Sequence, residues 1–356
     1  MKSAYNQEWI YNLEVIKSAK QWARHNFISN EQKLAIDEVY KVAFYHPNLI
    51  IRLLLFVATL IAISGVTGLL ALMVVSAGQV GISILCVLYG IASFVILEKL
   101  FIAKNHYKSG VTEAINYHAC GFILGGVAGF VDFENLQMIL LVCLLVFTFA
   151  AIRYLDLVTT VLAMASLAAL VFYNCFEGSG LFKQIIPFIF ILVFSAIYFV
   201  TKKLQQRVEL NVWYYNLLII ESICLILIYL SGNYLVVREL SVNLMDLSLE
   251  AGEDIPFAYL FYFLTVSVPL SYLYFGITRK DLVLLRVSLL VFAFSVFTFK
   301  YYFIQEQVEI TLTLAGIILT GLTILLMRYL KEMRAGFTRE NLMTSKWAAM
   351  NVEAIL

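Results

Sequence analysis

Ten long apolar stretches constrain the fold of this chain more than any other feature. Each has a length near the roughly 20 residues that an α-helix needs to cross a bilayer. Membrane β-strands are shorter and alternate apolar with polar residues, so these stretches are not strands. The sequence therefore predicts an all-α polytopic transmembrane helical bundle of about ten spans, with boundaries at Ile50–Val75, Val80–Leu97, Ala114–Val131, Leu136–Ile152, Leu157–Phe172, Ile185–Val200, Val212–Leu230, Pro256–Phe275, Leu282–Phe299 and Val308–Met327.

The composition agrees with a membrane protein. Hydrophobic residues make up 62% of the chain and charged residues 14%, whereas soluble domains carry about 25% charge. The first 46 residues are polar and mixed in charge, without the apolar core of a signal peptide. We therefore expect the first true span to direct insertion.

The basic residues are distributed asymmetrically across the predicted spans. When the connections are assigned alternately, 22 of the 25 Lys and Arg residues fall on the side of the N-terminus. The opposite side holds Lys183, Arg238 and Lys300. By the positive-inside rule, this asymmetry predicts that both termini are cytoplasmic.

Three regions are predicted along the chain: a helical cytoplasmic module at 1–46, a transmembrane bundle at 47–327 and a cytoplasmic tail at 328–356. In the module, the apolar spacing from Trp9 predicts an amphipathic helix running to about Arg24. Ser29 and Gln32 form a capping-box pattern that opens a second helix through Val42. These helices could pack on each other, on the membrane surface or on a partner.

One connection, 231–255, is sizeable, acidic and expected to be extracytoplasmic. Leu240, Val242 and Leu244 alternate with polar residues, a pattern that favours an extended or hairpin segment. Such a segment would be either a structured cap over the helix ends, or a lid or docking surface.

Glu221 is the candidate functional residue that the sequence singles out. It lies near the midpoint of the apolar stretch Val212–Leu230, where a charged residue opposes membrane insertion by roughly 2.5–3.5 kcal/mol. Arg153 and Arg286 are possible cationic partners, and Asn216 lies five residues earlier on the same helix. Glu221 is either a substrate- or ion-coupling group at mid-membrane or a structural hydrogen-bonding residue.

His118 lies near the cytoplasmic end of the third predicted span. It could relay protons, or it could hydrogen-bond to a neighbouring helix. In the turn between the fourth and fifth spans, Arg153 and Asp156 are three residues apart and are expected to pair.

The third span also contains Gly121, Gly125 and Gly129, a repeated G-x-x-x-G pattern. Glycines at this spacing allow another helix backbone to approach closely. The approaching helix would belong to the same protomer or to a second copy.

Several classes of chemistry lack the residues that they require. The five cysteines form no C-x-x-C and the four histidines show no ligand spacing, so we predict no metal and no disulfide. No phosphate-binding loop, H-E-x-x-H or G-x-S-x-G motif occurs. Nucleic-acid binding would need a basic soluble domain. We predict a protein that is not an enzyme, has no cofactor and binds no nucleic acid.

Stretches near both ends carry a family resemblance: 22–32 near the start, and 284–290, 297–303, 314–319, 328–331 and 336–338 near the end. Together they resemble a family of multi-pass inner-membrane proteins of Bacteroidetes-type bacteria, which has no assigned function. The resemblance implies a bacterial inner-membrane location and a cytoplasmic N-terminal module, and it transfers no catalytic residue.

Two functions remain open at this point. The first is a carrier or channel for a small molecule, lipid or ion, with Glu221 as the coupling group and Asn216, His118 and Arg286 as further candidates. The second is a non-catalytic scaffold or accessory subunit of an envelope complex. The expected partners are the lipid bilayer and either a second copy of the chain or an envelope protein.

Overall fold

The computed structural model describes residues 2–74, 78–131, 135–176, 180–243 and 254–303, with scattered positions between 313 and 328. Twelve α-helices lie within these ranges: α1 Gln7–Arg24, α2 Asn30–Val39, α3 Leu49–Val74, α4 Gly78–Ile96, α5 Val111–Val131, α6 Leu136–Tyr154, α7 Leu157–Phe176, α8 Gly180–Gln205, α9 Tyr214–Gly232, α10 Tyr234–Asn243, α11 Ala258–Thr278 and α12 Leu282–Phe303. A π-helix, Leu97–Phe101, and a 3₁₀ turn, Ile102–Lys104, extend α4, and a 3₁₀ helix, Val208–Trp213, precedes α9.

The predicted multi-pass helical fold is confirmed. In the described part of the chain, nine helices are long and apolar enough to cross a membrane, namely α3 to α9, α11 and α12. The first nine predicted spans each fall on one of them. The predicted tenth span, 308–327, and the tail, 328–356, lie outside the described residues apart from scattered helical positions. Helix α3 buries none of its apolar window, as expected of a helix that faces lipid.

The described residues divide into two compact units. The first contains 2–170 and 208–216, and the second contains 171–207 and 217–303. Each unit has a buried apolar core of its own.

The core of the first unit includes the N-terminal segment. Tyr5 and Ile10 belong to the same buried cluster as Leu97 in the π-helix that follows α4. The backbone N–H of Ala4 also donates to the carbonyl oxygen of Arg153 at 2.8 Å. The N-terminal segment therefore contributes residues to the core of the first unit, while Ala19 and Trp22 of α1 pack against Ile28 and Ile36. Its cytoplasmic location stays a prediction.

Helices α1 and α2 begin at side-chain caps. The Asn6 side chain accepts from the backbone N–H groups that open α1. Ser29 and Gln32 form the predicted capping box, with both reciprocal bonds present. Helix α2 ends at Val39, three residues before the predicted Val42, and the chain then extends to pair Tyr45 with His106 in an isolated β-bridge.

Helices α4 and α5 approach closely through Gly129, one of the three predicted glycines, and through Gly126. A Cβ added at Gly126 would lie 2.7 Å from the carbonyl oxygen of Ser83, and one at Gly129 would meet the Ser83 side chain. Gly121 and Gly125, by contrast, have open space around them. Residues three apart share a helix face, so Gly126 and Gly129 together form the groove. Close packing within the protomer is therefore found at Gly129 and not at Gly121 or Gly125, and contact of these two with a second copy stays a prediction.

The turn between α6 and α7 is tight, and the expected pair of Arg153 with Asp156 does not form. Leu155 adopts a left-handed conformation with φ 54°, which reverses the chain without glycine. Arg153 instead forms a bidentate ion pair with Glu98 at 2.7 and 2.9 Å. Asp156 accepts from the hydroxyl of Tyr117 at 3.0 Å.

The acidic connection is helical where the sequence predicted an extended or hairpin segment. Residues Tyr234–Asn243 form α10, which begins beside Asn233, whose side-chain oxygen accepts from the N–H of Val236 at 3.3 Å. Tyr234 and Val237 are three apart and both buried, so the helical period decides the local structure here. The rest of the connection, 244–253, lies outside the described residues.

Candidate functional site

Glu221 is fully buried in the second unit, with 0% of its surface exposed. It lies on α9, the eighth residue of that helix. Its Oε1 is 2.6 Å from the Nζ of Lys202, near the end of α8. Its Oε2 accepts from the side-chain amide of Gln205, the last residue of α8, at 2.7 Å. The carboxylate of Glu221 therefore joins α9 to the end of α8.

The Nζ of Lys202 also contacts a second carboxylate. Asp281 lies in the turn between α11 and α12, and its Oδ2 is 2.5 Å from Lys202 Nζ. Its other oxygen, Oδ1, accepts from the backbone N–H groups of Val283 and Leu284 at 3.0 and 3.1 Å. Asp281 thus opens α12 with one oxygen and holds Lys202 with the other.

These three residues, Lys202, Glu221 and Asp281, form what we call the charge cluster. In the described part of the chain, Lys202 is the one cation within ion-pair distance of either carboxylate. The cluster therefore carries a formal charge of −1. The Lys202 side chain is 29% exposed, the Asp281 side chain 16% and the Glu221 side chain 0%, so the buried end of the cluster is anionic.

Two further titratable groups interact electrostatically with the charge cluster: Tyr198 on α8 and Cys224 on α9. Arg279, at the end of α11, interacts with Tyr198. The Nζ of Lys202 lies 5.9 Å from the ring centroid of Tyr198. Lys202 Nζ therefore also lies over the face of an aromatic ring.

The hydrogen-bond and ion-pair partners of Glu221 lie nearer to helix ends than the mid-membrane position expected from the sequence. Gln205 ends α8 and Asp281 lies in a turn, so the Glu221 carboxyl is bonded to groups at helix ends and not to groups at mid-span. The Cα–Cβ bond of a helical residue tilts towards the helix N-terminus, which brings this carboxyl closer to the start of α9.

The cationic partners suggested by the sequence are wrong. Arg153 pairs with Glu98 in the first unit, and Arg286 on α12 is exposed. Sequence reasoning missed Lys202, although Lys202 and Gln205 are three apart and share one face of α8. This shared helix face was the sequence feature from which Lys202 could have been predicted.

Asn216 does not join the charge cluster. Its side-chain amide donates to three acceptors around the α6–α7 turn: the carbonyl oxygens of Ala151 and Asp156 at 3.4 and 3.1 Å, and the hydroxyl of Thr160 at 2.7 Å. The Asn216 side chain thus fixes the start of α9 against this turn within the first unit.

His118 lies on α5 among aromatic rings. Its ring centroid is 4.4 Å from that of Phe122 and 5.6 Å from that of Tyr89. Its Nε2 is buried and has no hydrogen-bond partner among the described residues. In the same helix, Asn116 is 2% exposed, and neither polar atom of its side chain has a partner in the described part of the chain.

Metal-binding groups do not converge in the part of the chain that the structure describes. No three His, Cys, Asp or Glu side chains there lie close enough to hold an ion. The five cysteines are free thiols, of which Cys120 and Cys224 are buried.

Comparison with known proteins gives no match: no family model matches the chain, and neither does any curated protein or solved structure. The resemblance to the bacterial inner-membrane family therefore stays a prediction.

Proposed function

We propose that this protein is a cation-coupled membrane carrier in which the charge cluster takes up one proton at Glu221. The observation that supports this most is the ratio of two carboxylates to one ammonium. Burying an ion costs several kcal/mol, and a structural bridge between α8 and α9 would need only one acid. The excess negative charge gives the cluster a reason to bind a cation.

Proton uptake would change the bonds between helices. With Glu221 ionised, Lys202 is shared by α9 and the α11–α12 turn. With Glu221 neutral, Lys202 would pair with Asp281 alone, and the bond between α8 and α9 would weaken. The two protonation states thus favour two arrangements of α8 and α9, which is what coupling a cation to a conformational change requires.

A pH jump applied to proteoliposomes on a solid-supported membrane tests this proposal without knowledge of the solute. We expect a transient charge displacement in the wild type that Glu221→Gln abolishes. Glu239→Gln is the matched control, because Glu239 accepts a hydrogen bond from Tyr302 outside the charge cluster. Equal displacement in the wild type and Glu221→Gln would overturn the proposal.

The second candidate function is a scaffold, and the surface of α2 favours it. This helix has no fully buried residue, and Leu34 and Val39 are 59% and 75% exposed. Native mass spectrometry of the protein gently extracted from its membranes tests for a stoichiometric protein partner. A partner lost in Leu34→Glu/Val39→Glu would support the scaffold, and extraction without a partner would count against it.

We further propose that the protein resides in a bacterial inner membrane with both termini in the cytoplasm. The placement of 22 of the 25 basic residues on one predicted side supports this orientation. Reporter fusions at the two ends test it, and opposite reporter signals would contradict it.

A further inference from the structure

The first unit contains a cavity of about 540 Å³ that the charge cluster does not involve. It lies between α1, the loop before α5, the α6–α7 turn and the start of α9. Part of the lining is apolar and includes Ile10, Leu13 and Val212. Three of the four charged residues in the lining are lysines, so we call it the lysine cavity.

Three lysines and one glutamate line the lysine cavity: Lys17, Lys20, Lys108 and Glu14. With the lining His46 neutral, the formal charge of the lining is +2. Glu14 accepts from the hydroxyl of Tyr215 at 2.9 Å. The cavity is therefore cationic, with its single acid engaged in a hydrogen bond.

Lys108 lines the lysine cavity although its backbone is left-handed and its ammonium group is largely removed from water. Its backbone has φ 47°, a left-handed conformation that is unfavourable for a residue other than glycine. Burial lowers the pKa of the Lys108 ammonium, and the positive charge of Arg52 lowers it further. Its Nζ lies 5.4 Å from the ring centroid of Tyr107. Among the described residues, no carboxylate is within ion-pair distance of it.

The carboxylates of Glu113 and Asp156 interact electrostatically with Lys108 but form their ion pairs and hydrogen bonds with other residues. Glu113 pairs with Arg52 at 2.6 Å and accepts from the N–H of Gly110 at 2.7 Å. Asp156 accepts from the hydroxyl of Tyr117 and from the N–H of Thr159. Lys108 therefore offers its ammonium to the cavity and not to a side chain of the unit.

We propose that the lysine cavity binds a phosphate ester, with its oxygens accepting from Lys108, Lys17 and Lys20. Phosphate suits this lining because it carries more than one acceptor oxygen and lysine is a common phosphate ligand. Basic pockets at membrane-proximal positions bind lipid headgroups. The apolar lining fits the carbon part of the same molecule. The ligand is an anionic phospholipid or a soluble organic phosphate.

Binding of two probes to the purified full-length protein in neutral detergent distinguishes the sources. The probes are dioleoyl-phosphatidylglycerol in mixed micelles and sn-glycerol 3-phosphate, each titrated by thermophoresis. Saturable binding of the lipid alone assigns a headgroup site, and binding of glycerol phosphate assigns a site for soluble phosphates. Binding of neither probe, or equal binding of phosphatidylcholine, overturns the proposal.

Variants locate the binding in the cavity. Because a charge-assisted bond is lost, we expect Lys108→Met to weaken binding about tenfold or more. Lys104→Met is the matched control, since Lys104 is exposed in the same loop and does not line the cavity; its affinity should change less than about twofold. If Lys108→Met fails to fold, Lys17→Met/Lys20→Met gives the same test at exposed positions. Unchanged affinity in a folded cavity variant would overturn the proposal.

Discussion

Neutralising Lys202 should destabilise the protein far more than neutralising Glu221. Lys202 Nζ lies 2.6 Å from Glu221 Oε1 and 2.5 Å from Asp281 Oδ2. Glu221→Gln preserves the pair of Lys202 with Asp281, and its amide oxygen keeps the bond from Gln205. Lys202→Met instead leaves two neighbouring carboxylates without their cation.

The expected changes in the free energy of unfolding follow from how far each side chain is buried. Removing one partner from a buried ion pair costs about 3–5 kcal/mol. Because the Lys202 side chain is 29% exposed, water offsets part of this cost, and we expect about 3 kcal/mol for Lys202→Met. Glu221→Gln exchanges a charge-assisted bond for a neutral one, which costs about 1 kcal/mol.

Unfolding of detergent-solubilised protein by SDS, followed by circular dichroism, measures both changes in the free energy of unfolding. Lys203→Met is the matched control, since Lys203 is the exposed neighbour of Lys202, and it should cost within about 0.5 kcal/mol. The double variant Lys202→Met/Glu221→Gln should recover part of the Lys202→Met loss, because it retains only one of the two carboxylates. Equal costs for Lys202→Met and Lys203→Met, or for Lys202→Met and Glu221→Gln, would refute the reasoning.

Three further predictions concern other positions. Gly126→Ala should destabilise the protein by about 1–3 kcal/mol because its Cβ would meet Ser83, whereas Gly121→Ala, in open space, should be neutral or gain up to about 1 kcal/mol of helix propensity. Burial tends to raise the pKa of Asp254, but hydrogen bonds from Tyr234, Tyr262 and a backbone N–H outweigh it and lower the pKa. Asp254 should therefore stabilise the fold above about pH 4, and this stability should disappear as the pH falls through its lowered folded-state pKa. Asn116→Leu should stabilise the protein by about 1–3 kcal/mol, because it removes a buried amide without partners in the described part of the chain.

The same SDS titration checks these variants, repeated between pH 3 and 7 for Asp254. Equal stability changes in Gly126→Ala and Gly121→Ala would contradict the close approach of α4 and α5. A pH dependence that survives in Asp254→Asn would show that another group is responsible. Loss of stability in Asn116→Leu would reveal a polar partner for that side chain, such as a buried water.

The spans were predictable because apolar length is a local property of the sequence. Helix α12 was predicted at Leu282–Phe299 and extends to Phe303, since the aromatic and basic residues at its end continue the helix. The capping box at Ser29 and Gln32 was equally local. Each of these features depends on residues within a few positions of one another.

Contacts between helices were less predictable, because one sequence does not tell which helix faces meet. The G-x-x-x-G pattern indicated the correct helix and contains Gly129, but it does not contain Gly126, the other glycine at the close approach. Lys202 and Asp281 come from a helix end and a turn that are 79 residues apart, so their meeting is a tertiary property.

Helix α10 was not predicted, because its apolar residues fit both the two-residue period of a strand and the period of a helix. Leu240 and Val242 alternate as in a strand, whereas Tyr234 and Val237 have helical spacing. The deciding signal was Asn233, which is a favoured residue at a helix start.

Infrared difference spectroscopy across a pH titration tests most directly whether Glu221 takes up the proton. The proposal predicts that acidification of the wild type produces a component of the carboxylic-acid C=O band that Glu221→Gln removes and Asp254→Asn retains. A band of the same intensity in the wild type and in Glu221→Gln would contradict proton uptake at Glu221.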